Sequence, residues 1–253
     1  RFFDHFLKGE DNAWDRQPPL ILNVRAPRGI TRRNENEWPL ARTRWTRYYL
    51  DAGAVTLSTD KPASAGKAEY EAFGSGVTLR SAPLAADTEF TGPVAAKLFV
   101  SSSTADMDLF LTLRVFDPHG GEVTFVGAND PKAPVSQGWL RVSQRKIDPA
   151  RSRPDKPYHP HDERLPVVPG ETYEVDVEIW PTSIVVPVGY TLALTIAGKD
   201  FERPETQGLM KGSGIFLHDD PADRPDVLFG GTCAIHTGDD RASYLLMPLV
   251  PAR

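Results

Sequence analysis

The amino-acid sequence predicts an all-β fold, a jelly-roll β-sandwich preceded by a short N-terminal helix. Apolar residues recur at every second position in about ten short segments, which is the spacing of a half-buried strand. Turn-forming residues separate these segments, and the chain contains 23 Pro and 20 Gly. Long helical patterns, which an α/β protein would show between its strands, do not occur, so a sandwich is the expected architecture.

Residues 1–9 predict the N-terminal helix, because Phe2, Phe3, Phe6 and Leu7 fall on one side of it, and Gly9 is the predicted stop. Two helical turns are unstable alone, and no capping residue stands before Phe2. We therefore assign residues 1–19 to a helix stub and linker that continue a preceding domain, and residues 20–253 to the β-sandwich. The predicted domain-interface residues are Phe2, Phe3 and Phe6.

The strand pattern is clearest over residues 173–179, where apolar residues alternate with acidic ones. Further strands are predicted over 94–100, 109–115, 192–196, 232–236 and 244–249. Residues 25–39 are polar and rich in turn formers, so we predict a surface loop there. Two long segments, 148–167 and 199–231, interrupt the pattern, and loops of this length usually carry function or form interfaces.

The net charge of the chain is −5, with a pI near 5.7, so the basic excess that phosphate neutralisation requires is missing. No apolar run is long enough to cross a membrane. We therefore expect neither nucleic acid nor membrane as a partner, and no cofactor. Cys233 is the single cysteine and cannot form an internal disulfide, which makes the cytoplasm the default expectation for localisation.

Serine hydrolysis requires a nucleophile on a tight strand-to-helix turn, usually within a G-x-S-x-G motif. The nearest approximations are Gly-Ser-Gly sequences at Ser75 and Ser213, but Ser75 leads into a predicted strand and Ser213 lies in a long loop. We predict that both are turn serines and that the chain contains no catalytic residue.

Weaker candidate sites have ordinary structural explanations. Zinc could be coordinated by His159, His161 and Asp162. The proline-rich loop supplies too few ligands, however, so no metal site is predicted. Asp106 and Asp108 could pair as acid and base, although solvation at a strand edge or capping of a turn is the better interpretation. A sugar-stacking platform is conceivable from four aromatic residues, for which core and interface packing is favoured. They are Trp38, Trp45, Tyr48 and Tyr49.

Three segments of the chain resemble one protein family. Residues 1–12, RFFDHFLKGEDN, resemble the helix that leads out of the α/β-hydrolase domain in Xaa-Pro dipeptidyl-peptidases, cocaine esterase and α-amino-acid ester hydrolases, the CocE/NonD group. Residues 90–108 and 168–183 are similar to strands of the C-terminal domain of that family. The resemblance implies a jelly roll of galactose-binding-like topology whose partner is its own upstream α/β-hydrolase domain.

The resemblance also implies a parent serine hydrolase that acts on acyl esters or Xaa-Pro peptides. Its Ser-His-Asp triad would lie in the upstream domain, so no catalytic residue is carried onto this sequence, and the chain alone is predicted to be inactive. In the family, the loop before the strand at Val77 contributes to the substrate-pocket wall. That loop is shortened here to about residues 62–73, which leaves Phe73 as the candidate pocket-wall residue.

Two alternative functions stay open at this stage. A carbohydrate-binding module would require an exposed aromatic platform, whereas a domain that assembles homo-oligomers would require a large apolar patch away from the N-terminal helix. The favoured function is a non-catalytic domain that packs on a catalytic one.

Overall fold

A computed structural model describes residues 1–127, 130–203 and 217–252. Within these ranges the helices are α1 Phe2–Lys8 and α2 Asp226–Phe229. The strands are β1 Leu20–Ala26, β2 Gly29–Glu35, β3 Arg44–Asp51, β4 Thr56–Ser58, β5 Gly66–Glu71, β6 Val77–Ser81, β7 Thr88–Ser102, β8 Asp108–Phe116, β9 Ser136–Arg141, β10 Tyr173–Val186, β11 Thr191–Ala197, β12 Thr232–Thr237 and β13 Tyr244–Val250. The predicted all-β fold with a short N-terminal helix is therefore confirmed.

The strands form a flattened ring. Its order is β10-β9-β8-β11-β6-β4-β3-β13-β7, and β7 pairs again with β10. The long strand β7 pairs with β10 on one side, and with β13 and then β12 on the other. Strands β1 and β2 extend the sheet beyond β10, while β12 and β5 extend it beyond β7. The two walls of the ring are the two layers of the sandwich.

The core lies between these two walls and consists mainly of the apolar side chains that recur at every second position of the strands. Its buried side chains include Leu109, Leu111 and Leu113 of β8, Val175, Val177 and Ile179 of β10, and Leu192, Leu194 and Ile196 of β11. Alternate residues of β8 face outward, yet Phe110, Thr112 and Phe116 are buried as well. Other side chains and chain segments therefore cover this outer face, and the cavities described below lie on it.

Two sequence-based expectations need correction. Residues 25–39 are not a loop throughout, because β1 and β2 form an antiparallel hairpin. Strand β2 is a mostly exposed edge strand that is held by backbone hydrogen bonds to β1. Because neither of its faces is buried in the core, its sequence shows no alternation of apolar and polar residues. Strand β9 was not predicted at all, since glycine occupies one of its inward positions, Gly138. Neither described helix has the length and apolar character of a membrane-spanning segment.

Candidate functional site

Helix α1 exposes its apolar side chains to solvent. Phe3 is 69% exposed and Leu7 is 76% exposed, and Phe2 and Phe6 are exposed as well. The helix contributes no residue to either buried hydrophobic cluster of the sandwich. Gly9 ends it in the left-handed conformation, with φ of 69° and its N–H bonded to the carbonyl oxygen of His5, as predicted.

The residues around α1 fold back on the helix and hold its aromatic rings together. The Arg1 guanidinium donates to the carbonyl oxygen of Asn12 at 2.9 Å, and the Asn12 amide donates to that of Arg1 at 2.8 Å. The Phe2 ring centroid lies 4.8 Å from that of Phe6 and 5.1 Å from that of Trp14. We call Phe2, Phe3, Phe6 and Trp14 the N-terminal aromatic cluster. An ordered apolar surface of this kind is suited to packing against another protein surface.

Phe73 lies in the turn between β5 and β6 and is 37% exposed. The following Gly76 has φ of +70°, and a side chain there would place its Cβ 2.2 Å from the carbonyl oxygen of Ile196. Glycine thus lets this turn lie directly against β11. Phe73 and Ser75 line a cavity of about 610 Å³ on the outer face of β8 and β11.

Charged side chains that pair with each other line the same cavity. Arg114 donates to the Glu122 carboxylate at 2.7 and 3.0 Å, and Arg203 donates to it at 2.6 and 2.9 Å. Burial raises the pKa of Glu122, but the hydrogen bonds from Arg203 and Arg114 outweigh burial and leave the pKa below its ordinary value. Glu122 is therefore a stable anion held between two arginines, which is unsuited to proton transfer near neutral pH.

Arg224 joins the Phe73 turn to β8. Its guanidinium lies 5.3 Å from the Phe73 ring centroid and donates to the Asp108 carboxylate at 2.8 Å, and it also donates to the carbonyl oxygens of Gly198 and His218. Asp108 is paired with Arg141 in addition. A buried arginine with this many partners fixes the position of the surface that it supports.

The acid–base pair considered for Asp106 and Asp108 is not formed, because each carboxylate has structural partners. Asp106 accepts hydrogen bonds from the backbone N–H groups of Met107 and Ser143 at 2.9 and 3.1 Å, and Arg164 donates to its other oxygen at 3.1 Å. Asp108 is bound by Arg141 and Arg224, as described above. Capping and ion pairing therefore account for both residues.

The three weak metal candidates lie near each other but have other partners. Both ring nitrogens of His159 face backbone carbonyl oxygens, of Lys146 at 3.0 Å and of Asp176 at 2.9 Å. The Asp162 carboxylate pairs with Lys146 at 3.0 Å. His161 lies with its ring centroid 6.1 Å from that of His159. A metal would have to displace these partners, and the expectation of no metal stays a prediction.

Ser75 lacks the surroundings of a nucleophile. Ser75 is exposed, and no histidine in the described ranges is hydrogen-bonded to it; Ser213 lies outside those ranges. Ser101 does contact His236, with Oγ and Nε2 2.8 Å apart. Both residues belong to paired strands, β7 and β12, whose backbone amides are directed into the sheet. The amides of these two strands are therefore not available as an oxyanion hole for this pair.

The four aromatic residues considered for a platform, for which packing was favoured, lie in different environments. Tyr48 is buried in the core, whereas Trp38 and Trp45 are among the exposed large side chains. Sequence reasoning missed a different aromatic pair, Trp139 of β9 and Trp180 of β10, whose ring centroids lie 5.1 Å apart. Trp180 continues the outward-facing acidic series of β10, and an aromatic residue at such a position is a signal that could have revealed it.

The sequence matches the family described as the X-Pro dipeptidyl-peptidase C-terminal non-catalytic domain over residues 12–246. Cocaine esterase from a Rhodococcus species is 24% identical over 290 residues, and the match covers 98% of this chain and 45% of the esterase. The chain thus spans less than half of that relative.

Solved structures show the same relation. A CocE/NonD family hydrolase from Staphylococcus aureus is 30% identical, with a TM-score of 0.87 over 99% of this chain and 44% of the hydrolase. An aminopeptidase from a Thaumarchaeota archaeon of marine sediment is 14% identical, with a TM-score of 0.71 over 99% of this chain and 43% of the aminopeptidase. The second similarity concerns the fold alone.

Proposed function

The chain belongs to the family of X-Pro dipeptidyl-peptidase C-terminal non-catalytic domains, and on this premise we propose that it packs on an α/β-hydrolase domain preceding it in a longer protein. The exposed N-terminal aromatic cluster carries this proposal. Burying one phenylalanine side chain is worth roughly 1.5–3 kcal/mol, so the interface residues Phe2, Phe3 and Phe6 would strongly favour contact with a second surface. Residues 1–19 then act as the connecting segment and residues 20–253 as the packed domain.

The proposed parent protein is a serine hydrolase that cleaves acyl esters or Xaa-Pro peptides. The names of the similar proteins support this reaction class, and its Ser-His-Asp triad would belong to the preceding domain. The sandwich would contribute surface to that active site. Phe73 is the proposed pocket-wall residue, since it is partly exposed at a turn that Gly76 and Arg224 hold against the sandwich.

Hydrogen exchange on this chain tests the docking role of α1. In dilute solution the amides of residues 2–8 should exchange freely or gain protection only as the concentration rises, because the sandwich does not bury the helix. Phe3→Ser should reduce any concentration-dependent association, seen in sedimentation velocity. Ile30→Ser is the matched control, since Ile30 is an apolar side chain of β2 that is 67% exposed and lies outside the N-terminal aromatic cluster.

Strong protection of residues 2–8 in a dilute monomer would contradict the proposal, because the helix would then belong to the domain's own core.

An activity assay tests the non-catalytic role. We expect no turnover of p-nitrophenyl acetate or of an Ala-Pro chromogenic dipeptide by this chain. Turnover that disappears in Ser75→Ala or Ser213→Ala would show that a nucleophile had been overlooked.

A further inference from the structure

An aromatic and polar surface lies on the outer face of β8, β9 and β10. Gly138 of β9 pairs with Ile179 of β10, and a Cβ on Gly138 would lie 2.2 Å from the carbonyl oxygen of Glu178. The missing side chain therefore lets the two strands approach closely. As a result, the outward-facing neighbours of this pair line one cleft. These neighbours are Gln137, Trp139, Glu178 and Trp180.

The cleft has the size and the walls of a ligand site. Its volume is about 910 Å³, within the usual range for small-molecule sites. Trp180 is 63% exposed, and its ring stands at 70° to that of Trp139. The two indoles thus form an apolar corner. In the described part of the chain, neither indole N–H has a hydrogen-bond partner, so both donors are available to a ligand.

Polar side chains with planar groups surround this corner. The Glu178 carboxylate lines the cleft and has no ion pair or hydrogen bond within residues 1–127, 130–203 and 217–252. His161 and Gln144 lie nearby, with Nδ1 and Oε1 3.4 Å apart. A carboxylate accepts hydrogen bonds from two hydroxyl groups, a side-chain amide both donates and accepts, and a neutral imidazole donates through one ring nitrogen and accepts through the other. This set suits a ligand with many hydroxyl groups.

The charges of the cleft disfavour an anionic ligand. Its arginines are already neutralised, because Arg141 pairs with Asp108 and Asp223, and Arg224 pairs with Asp108. Hydrogen bonding to Arg141 lowers the pKa of Asp223, which keeps that carboxylate charged. Glu178 adds a negative charge that no cation of the described residues pairs with. A neutral ligand avoids both repulsion and the cost of stripping water from a charge.

We propose that the Trp139–Trp180 cleft binds a neutral saccharide. The negative face of the Trp180 indole attracts the polarised C–H groups on one side of a pyranose ring, while Glu178, Gln144 and His161 bond its hydroxyl groups. This role is additional to docking on a hydrolase domain, since it uses β9 and β10 rather than α1.

Trp45 provides a comparison within the same chain. It also lines a cleft, of about 680 Å³, together with Tyr49 and Tyr244. Cations lie over the faces of these tyrosines: the Arg47 guanidinium is 4.7 Å from the Tyr244 ring centroid, and the Lys61 ammonium is 5.8 Å from that of Tyr49. Stacking surfaces already covered by cations are poor platforms for a sugar. Trp45 is therefore the natural control.

Calorimetry and NMR of this chain with maltotriose, cellotriose and chitotriose test the proposal, with choline as a cationic probe. At least one saccharide should bind saturably and shift the Trp180 indole N–H signal, with an affinity that salt does not change. Trp180→Ala and Trp139→Ala should each weaken binding roughly tenfold or more, and Trp45→Ala should change it less than about twofold. Glu178→Gln, which keeps the shape, should weaken binding by a smaller factor.

Several outcomes would overturn the saccharide site. They are the absence of heat and of any shift with all three saccharides, equal loss of affinity in Trp45→Ala and Trp180→Ala, and binding of choline in place of the saccharides. Because Trp180 is largely exposed, its replacement does not open the core, and unchanged thermal unfolding of the variant confirms that loss of binding is local.

Discussion

The sandwich core and the N-terminal helix use the same kinds of residue in opposite ways. Leu111, in β8, is 1% exposed, while Leu7, in α1, is 76% exposed. In the core, apolar side chains stabilise the fold of the chain that carries them. In α1 they add nothing to the buried clusters of the sandwich, and their proposed role is contact with another surface. Mutations in the two regions should therefore separate stability from association.

Leu111→Ala should have the largest effect on stability. Truncation of a fully buried leucine costs about 3–5 kcal/mol, through lost transfer free energy and the cavity left behind. Leu7→Ala makes the same chemical change and should alter the free energy of unfolding by less than about 0.5 kcal/mol. Urea denaturation measures both. Similar losses in the two variants would mean that α1 is part of the core.

Arg224→Met should come next. The substitution keeps most of the side-chain volume but leaves the buried carbonyl oxygen of Gly198, and the carbonyl oxygen of the exposed His218, without their donor. An unsatisfied buried group costs roughly 1–3 kcal/mol, although Asp108 retains Arg141. Lys8→Met, which removes an exposed ion pair with Asp4, is the control and should leave the denaturation midpoint unchanged.

Glu122→Gln should change how stability depends on pH. The pKa of Glu122 in the folded protein lies below its ordinary value of 4.5, so its stabilising contribution is complete above that pH and is lost as the pH falls below it. Unfolding measured from neutral to acidic pH should thus show a smaller acid-induced loss in Glu122→Gln than in the wild type. Glu10→Gln, in the exposed N-terminal segment, should preserve the wild-type profile.

Replacement of Phe2, Phe3 and Phe6 by serine should have a smaller effect on stability still. Because the sandwich buries none of these rings, the free energy of unfolding should change by less than about 0.5 kcal/mol. Solubility and resistance to self-association should increase. Differential scanning calorimetry and sedimentation would measure the two properties, and a strongly lowered melting temperature would contradict the division into two regions.

A chelator should have no effect at all. His159 and Asp162 are engaged with protein groups, so the fold is expected to need no metal. EDTA should leave the melting temperature unchanged. A decrease that zinc or calcium reverses would show that these side chains bind a metal in solution.

The fold was largely predictable because the core strands carry a strong period-two signal. Val175, Val177 and Ile179 alternate with acidic residues and lie where the pattern places them. The hairpin strand β2 escaped prediction, since an edge strand with two polar faces depends on backbone hydrogen bonds that leave no mark on side-chain hydropathy. The family resemblance was confirmed by the match over residues 12–246.

The candidate sites were less predictable, because they depend on contacts between distant parts of the chain. Phe73 and Arg224 are separated by about 150 residues, and no local pattern indicates that they meet. The Trp139–Trp180 pair depends on the register between β9 and β10, which the small size of Gly138 permits. By contrast, the apolar face of α1 was apparent from the sequence, because all of its apolar residues lie within one short helical segment.

The closed ring of strands has a consequence for association. Most strands of the ring have a neighbouring strand on each side, and among the described strands β2 and β5 are the outermost ones of the sheet. Both edges carry charge: β2 contains Arg32 and Arg33, and β5 contains Lys67, Glu69 and Glu71. Charged edges discourage intermolecular strand addition. A larger protein can thus carry this domain beside its own apolar surfaces without adding a template for amyloid-like growth.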